Sequence, residues 1–166
     1  MSLAVVYSRA SLGTSAPLVT VEVHLSNGLP SFSIVGLAET AVKESRERVR
    51  SALKNSGFDF PTRRITVGLA PADLPKRGGR FDLPIALGIL VAAGQLSLEA
   101  LQDIEFLAEL GLGGELRPVD TILSAVVAAT AMGHTVALAP GDAVEASRVR
   151  TARLLPAFSL SALVDH

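Results

Sequence analysis

Cysteine is absent from the 166 residues, which removes disulfides, thiolate metal sites and a cysteine nucleophile from consideration. Tryptophan is absent as well, and aromatic residues make up only 4% of the chain. A core must therefore be assembled from Leu, Val, Ala and Ile, which suits helices packed on a sheet. The longest apolar run, Leu83 to Gly94, has twelve residues including Pro84, too few to span a bilayer. Met1 to Ala10 lacks the basic region, apolar stretch and cleavage site of a signal peptide, so a soluble, cytoplasmic protein without membrane contact is expected. No Gly-x-x-x-x-Gly-Lys-Ser/Thr occurs, and Gly111, Gly113 and Gly114 run into Glu115, whose carboxylate repels phosphate. That cluster reads as a hairpin turn. The histidines His24, His134 and His166 have no carboxylate or histidine at helical spacing, so no metal site is expected.

What is present is enough for a real core: 49% hydrophobic residues against 19% charged, in a length that fits one domain. The net charge of -1 conceals an uneven distribution. Residues 39–80 carry ten cations against five carboxylates, a local +5, whereas residues 81–166 carry four cations against ten carboxylates, a local -6. A polyanion would meet the first region and avoid the second.

Leu3 to Tyr7 and Leu18 to Leu25 read as strands, the second from alternation of Val19, Val21, Val23 and Leu25 with Thr20, Glu22 and His24. Ser26-Asn27-Gly28 signals a tight turn into a third strand, Ser31 to Val35, so the chain is expected to open as an antiparallel meander. From Ala38 to Ser56 the period becomes helical, with Ala38, Ala41, Val42, Ser45, Val49, Ala52 and Leu53 on one face and Gly57 as the stop. On its flank Lys43, Arg46, Arg50 and Lys54 follow spacings of three, four and four, a single longitudinal stripe. Any one of them suits a solvated helix surface, and Glu39 with Lys43 or Glu44 with Arg48 adds only tenths of a kcal/mol.

The central stretch, Pro61 to Gly94, joins a strand, Ile65 to Leu69, to a proline-rich, glycine-rich, cationic loop, Pro71 to Arg80, and a buried helix, Leu83 to Ala93. Asp82 before Leu83-Pro84 is expected to cap that helix, and Asp73 to pair with Lys76 or Arg77. Beyond it lie a strand near Ile104 to Leu107, a hairpin into Leu116-Arg117, a helix from Ile122 to Met132 capped by Asp120 or Thr121, and a strand from His134 to Ala139. Asp142 and Glu145 have the spacing of a capping box; a strand near Arg153 to Leu155 and a helix from Ser159 complete the chain. Strands followed by helix-strand alternation indicate an α+β fold, an α/β sandwich.

Pro30-Ser31-Phe32-Ser33-Ile34-Val35-Gly36-Leu37, Thr40 to Arg50, the central stretch and Gly114-Glu115-Leu116-Arg117-Pro118-Val119 together resemble the amino-terminal ChlI-type domain of the ComM/YifB family, from about Leu3 to about Val164. Those proteins are magnesium-chelatase-like bacterial AAA+ proteins associated with DNA branch migration in natural transformation. The resemblance implies a fold shared with the second domain of a small-subunit ribosomal protein and with the Lon protease domain. It also implies a parent protein with a following AAA+ motor that holds ATP and Mg and forms a hexameric ring; no motor motif occurs within residues 1–166, which are expected to form one domain.

Lon hydrolysis requires a serine and a lysine. The positions collinear with them here are Arg80, in Pro75-Lys76-Arg77-Gly78-Gly79-Arg80, and Ala125, in the helix after Pro118-Val119-Asp120-Thr121, so the segment is expected to be non-catalytic. Binding remains. Lys43, Arg46, Arg50 and Lys54 on the helix, Arg63 and Arg64 before the strand, and Lys76, Arg77 and Arg80 around Gly78-Gly79 are the candidate nucleic-acid contacts, for single-stranded or branched DNA. The alternative is that the same cations meet the acidic region of a neighbouring copy or of the motor domain, in a purely oligomerising module.

Overall fold

The computed structural model describes residues 2–36 and 38–166; Met1 and Leu37, the last residue of the Pro30 to Leu37 motif, lie outside the described residues. Alternation along β1 (Ser2–Arg9) and β2 (Leu18–Ser26) sends Ala4, Val6, Val19, Val21, Val23 and Leu25 to one face, where all are buried. The two strands pair antiparallel over their full length. The chain then turns into β3 (Ser31–Val35), but the expected meander does not form. Instead β4 (Arg64–Ala70) inserts between them, antiparallel to β2 and parallel to β3. Local turn chemistry specified the reversal after β2. It carried no information about a strand some thirty residues on that would take the neighbouring place.

The remaining strands extend the sheet from the other side of β1. β5 (Ile104–Leu107), β8 (Thr135–Leu138) and β9 (Leu154–Pro156) add in parallel, giving the order β3-β4-β2-β1-β5-β8-β9. Only β2 runs against the rest. β6 (Glu109–Leu110) and β7 (Leu116–Arg117) form the expected hairpin beside it.

The helices follow the patterns that marked them. α1 (Thr40–Lys43) and α2 (Ser45–Asn55) are separated only by Glu44, itself right-handed, and bury Val42, Ser45, Val49, Ala52 and Leu53 before ending at Gly57. α3 (Asp82–Ala92) is apolar all round and buried almost throughout, because the sheet, α2 and the segment around Leu101 and Phe106 enclose it. It lies close on β2: a Cβ at Gly88 would stand 2.5 Å from a Val23 methyl. α4 (Ile122–Ala131) and α5 (Pro140–Ala146) pack a second, smaller core on the opposite face around Leu107, Val136 and Leu138, and α6 (Leu160–Val164) returns to the main core. The architecture is the α+β sandwich expected, with helices on both faces of a mostly parallel sheet. Among the described residues no helix is long and apolar enough to cross a membrane.

Several expected caps are built differently. Thr121 occupies the N-cap of α4 with a left-handed backbone, φ 56, and makes no side-chain cap bond. Pro140 is already the first residue of α5, and Asp142 turns inward to accept the Val119 N–H at 2.9 Å instead of closing a capping box. Ser159 does cap as its position suggests, accepting the Ala162 N–H at 3.1 Å.

Candidate nucleic-acid interface

Alternation and periodicity distribute the nine candidate cations over four environments. Arg46, Arg50 and Lys54 lie one turn apart on α2, with Lys43 just beyond the helix start, and all four side chains reach solvent to some degree. The stripe is anchored along β3: Arg46 donates to the Phe32 carbonyl at 3.3 Å, and the Arg50 guanidinium lies over the Phe60 ring, 5.3 Å from its centroid. At the far end of α2, Arg50 and Lys54 meet Arg63 around a surface cleft of about 320 Å³, walled by Pro30, Phe60 and Thr62. Arg64, one residue later, falls on the other parity of β4 with Thr66 and Gly68 and points to the opposite face of the sheet.

The loop cations are arranged otherwise than expected. Lys76 is fully buried, its ammonium donating to the Gly36 carbonyl at 2.7 Å and to the Pro71 carbonyl, with burial lowering its pKa and Asp73 opposing that shift. No ion pair joins Asp73 to Lys76 or Arg77 among the described residues. Arg80 is 5% exposed and donates to the carbonyls of Arg9 and Asp120 and, at 3.0 Å, to the Thr121 hydroxyl. Its pKa is lowered by burial. The physical reason is the same at both positions: a loop that crosses strand ends leaves inward-facing carbonyls unpaired, and a long cationic side chain with several donors satisfies them. Gly36 supports this packing, since its φ of 115° and its close approach to the Leu69 carbonyl leave no room for a side chain.

Of the three cations of that loop only Arg77 is exposed. It lines a cleft of about 580 Å³ together with Arg80, Glu39, Glu109, Asp120 and Thr121, so the carboxylates outnumber the cations. The backbone amide offered by Gly78 is already directed at an anion, the Glu39 carboxylate, at 3.4 Å. Of the positions collinear with the Lon dyad, Arg80 lines this cleft as a donor held by oxygens, whereas Ala125 is a buried methyl on α4 that is not among the cleft's lining residues.

Two interior ion pairs escaped the sequence reading. Asp82 is the first residue of α3, not its cap, and its buried carboxylate accepts from Arg48 at 2.6 and 3.1 Å, from the Leu110 N–H at 3.0 Å and from the Ser45 hydroxyl. Burial pushes the Asp82 carboxyl up against the pull of those donors, while bonding to Asp82 raises Arg48. Arg9 and Glu105 form the second pair, bidentate at 2.7 and 2.9 Å, with His134 Nδ1 2.8 Å from the same carboxylate. A lone cation and a lone carboxylate inside otherwise apolar strand runs were the available signal for the latter.

Burial of charged side chains reduces the charge asymmetry at the surface. Without Lys76 and Arg80, residues 39–80 present eight cations and five carboxylates; without Asp82, Glu105 and Asp142, residues 81–166 present four and seven. The surface excess is therefore +3 and -3, and the positive part is concentrated on α2 and at Arg63. Among the described residues no three His, Cys, Asp or Glu side chains gather to hold a metal.

Comparison with known proteins places the chain. Residues 21–143 match the family described as subunit ChlI of Mg-chelatase, and the chain belongs to that family. Its relatives are the ComM/YifB proteins: it is 59% identical over 149 residues to competence protein ComM of Haemophilus influenzae, covering 90% of this chain and 29% of that protein. YifB of Salmonella typhimurium is 52% identical over 145 residues, 87% of this chain and 29% of the relative; YifB of Escherichia coli is 47% identical over 163 residues, 98% and 32%. The chain thus spans about three tenths of the length of the curated relatives it matches.

Proposed function

We propose that residues 1–166 form a single non-catalytic amino-terminal module of a ComM-like, Mg-chelatase-related AAA+ ATPase that acts on DNA, and that this module engages DNA through α2 and the Arg63 cleft. The observation that carries the reading is the convergence of Arg50, Lys54 and Arg63 beside a half-buried aromatic ring, with Arg46 and Lys43 continuing the row. Such a row neutralises successive phosphates without reading bases. In this reading ATP and Mg belong to the motor of the cytoplasmic parent protein, which assembles as a homo-hexamer and drives branch migration or unwinding during transformation and recombination. The name of the Haemophilus relative, a competence protein, supports that setting.

The non-catalytic assignment rests on Arg80 and Ala125. An arginine stays protonated and donates only, and a methyl cannot activate a nucleophile. A second reading, a purely oligomerising module, is favoured by one observation: the edge strand β3 carries the exposed apolar Val35 at its end and is preceded by the exposed Leu29.

Fluorescence anisotropy with a labelled oligonucleotide across a salt series tests the proposal. Four cations on phosphates give a slope of log K against log salt of about -3 for a single strand, and replacing one of them with glutamine makes it shallower by about 0.7. Absence of binding at low salt by the folded protein would leave the oligomerising module as the better account.

A further inference from the structure

Phe32, Phe60 and Arg50 form a graded stack. Phe32 is buried against the core; Phe60, half-buried, meets it with ring centroids 5.9 Å apart and planes tilted by 38°; the Arg50 guanidinium covers Phe60 at 5.3 Å. Arg50 is the outermost member, its side chain 41% exposed, and its one carboxylate neighbour, Glu47, is 3.9 Å away and 79% exposed, a pairing too wet to hold the charge. A guanidinium held over a ring gives up part of its rotamer freedom before any ligand arrives. Beside it opens the 320 Å³ cleft, stiffened by Pro30 and Pro61 and rimmed by Lys54 and Arg63.

We infer that Arg50, held by Phe60, is a stacking platform for one unpaired nucleobase, so that this surface takes single-stranded nucleic acid in preference to duplex. The inference rests on the DNA reading above and adds the form of the ligand. The argument is geometric. Phosphates need only the charges of Arg46, Lys54 and Arg63, but a planar cation beside a cleft offers a face, and only a base released from pairing has a face to return. A duplex keeps its base faces stacked internally and can use this surface only through its backbone. An acidic peptide likewise uses the charge and leaves the plane idle.

The test compares three labelled probes of equal length by anisotropy: an oligothymidylate, an abasic oligonucleotide with the same phosphates, and a duplex. The protein should bind the oligothymidylate roughly five- to a hundred-fold tighter than the abasic strand, the range of one stacked base. Arg50→Lys, which keeps the charge and removes the plane, should lower oligothymidylate affinity by a larger factor than abasic or duplex affinity and so close that difference. Phe60→Leu should act in the same direction, with far-UV circular dichroism confirming that both variants fold. Equal affinity for the oligothymidylate and the abasic strand, an Arg50→Lys loss shared by all three probes, or displacement of the oligothymidylate by polyglutamate at equal charge concentration overturns the inference while binding itself stands. Failure of every probe to bind at low salt overturns the DNA reading as well.

Discussion

Asp82→Ala removes the acceptor on which α2, α3 and β6 converge. The buried carboxylate takes hydrogen bonds from Ser45, Arg48 and the Leu110 N–H; its loss strands a guanidinium whose side chain is only 19% exposed and a buried backbone donor. Breaking one partner of a buried pair costs about 3–5 kcal/mol, a large share of the roughly 5–15 kcal/mol that holds a domain together. At about 2–4 °C per kcal/mol for a chain of this size, the melting temperature should fall by on the order of 10 °C. Arg48→Met strands the anion instead and should cost a similar amount at neutral pH. That cost is expected to shrink in acid, because the Asp82 carboxyl, already pushed up by burial, rises further without its cation and becomes neutral as pH falls through its folded pKa. The double variant Arg48→Met, Asp82→Ala should lose far less than the sum, leaving chiefly the unpaired Leu110 N–H at about 1–3 kcal/mol. Urea unfolding followed by far-UV circular dichroism gives all three values, the chain having no tryptophan. An additive double variant would show that Arg48 and Asp82 do not act as a pair and would refute this reasoning.

Gly88→Ala should destabilise by about 1–3 kcal/mol in the same assay despite the better helix propensity of alanine, because the new methyl meets the rigid, buried Val23. Asp142→Asn retains an acceptor for the Val119 N–H and removes a carboxylate whose pKa is raised first by burial and then by Glu145 and Asp120. A group with a raised folded pKa binds more protons folded than unfolded, so its ionisation costs stability as pH rises. The variant should therefore be more stable than wild type near neutrality, and the gap should close as pH falls through the Asp142 folded pKa, as thermal melts across pH would register.

Short-range patterns carried most of the fold. The alternation of Val19 to Leu25 fixed which face of β2 is buried, the continuous apolar run fixed α3, and Gly57 and Gly133 fixed two helix ends. Pairing partners distant in sequence were not legible: nothing in Ser26 to Val35 shows that β4 will stand between β2 and β3. The candidate site divides along the same line. Spacings of four on one helix are a local property, and the Arg46, Arg50, Lys54 row follows from them. The fate of Lys76 and Arg80 depends on which carbonyls a loop leaves exposed once it crosses strand ends, and Asp82 and Arg48 meet only because α2 packs on α3. Phe60 joined the site for a mixed reason. It lies within the basic region of the sequence, three residues before Arg63, yet its stacking under Arg50 is a tertiary contact.

The surface assignment is tested most directly by matched charge reversals. Arg46, Arg50 and Lys54 changed together to glutamate alter the same charge as Arg148, Arg150 and Arg153 changed together, the latter being exposed cations between α5 and β9. Measured by anisotropy at one low salt concentration, the first variant should lose DNA affinity by on the order of ten-fold or more and the second by less than about two-fold. Equal losses in the two folded variants, or a larger loss from the second, would contradict the assignment of DNA engagement to α2.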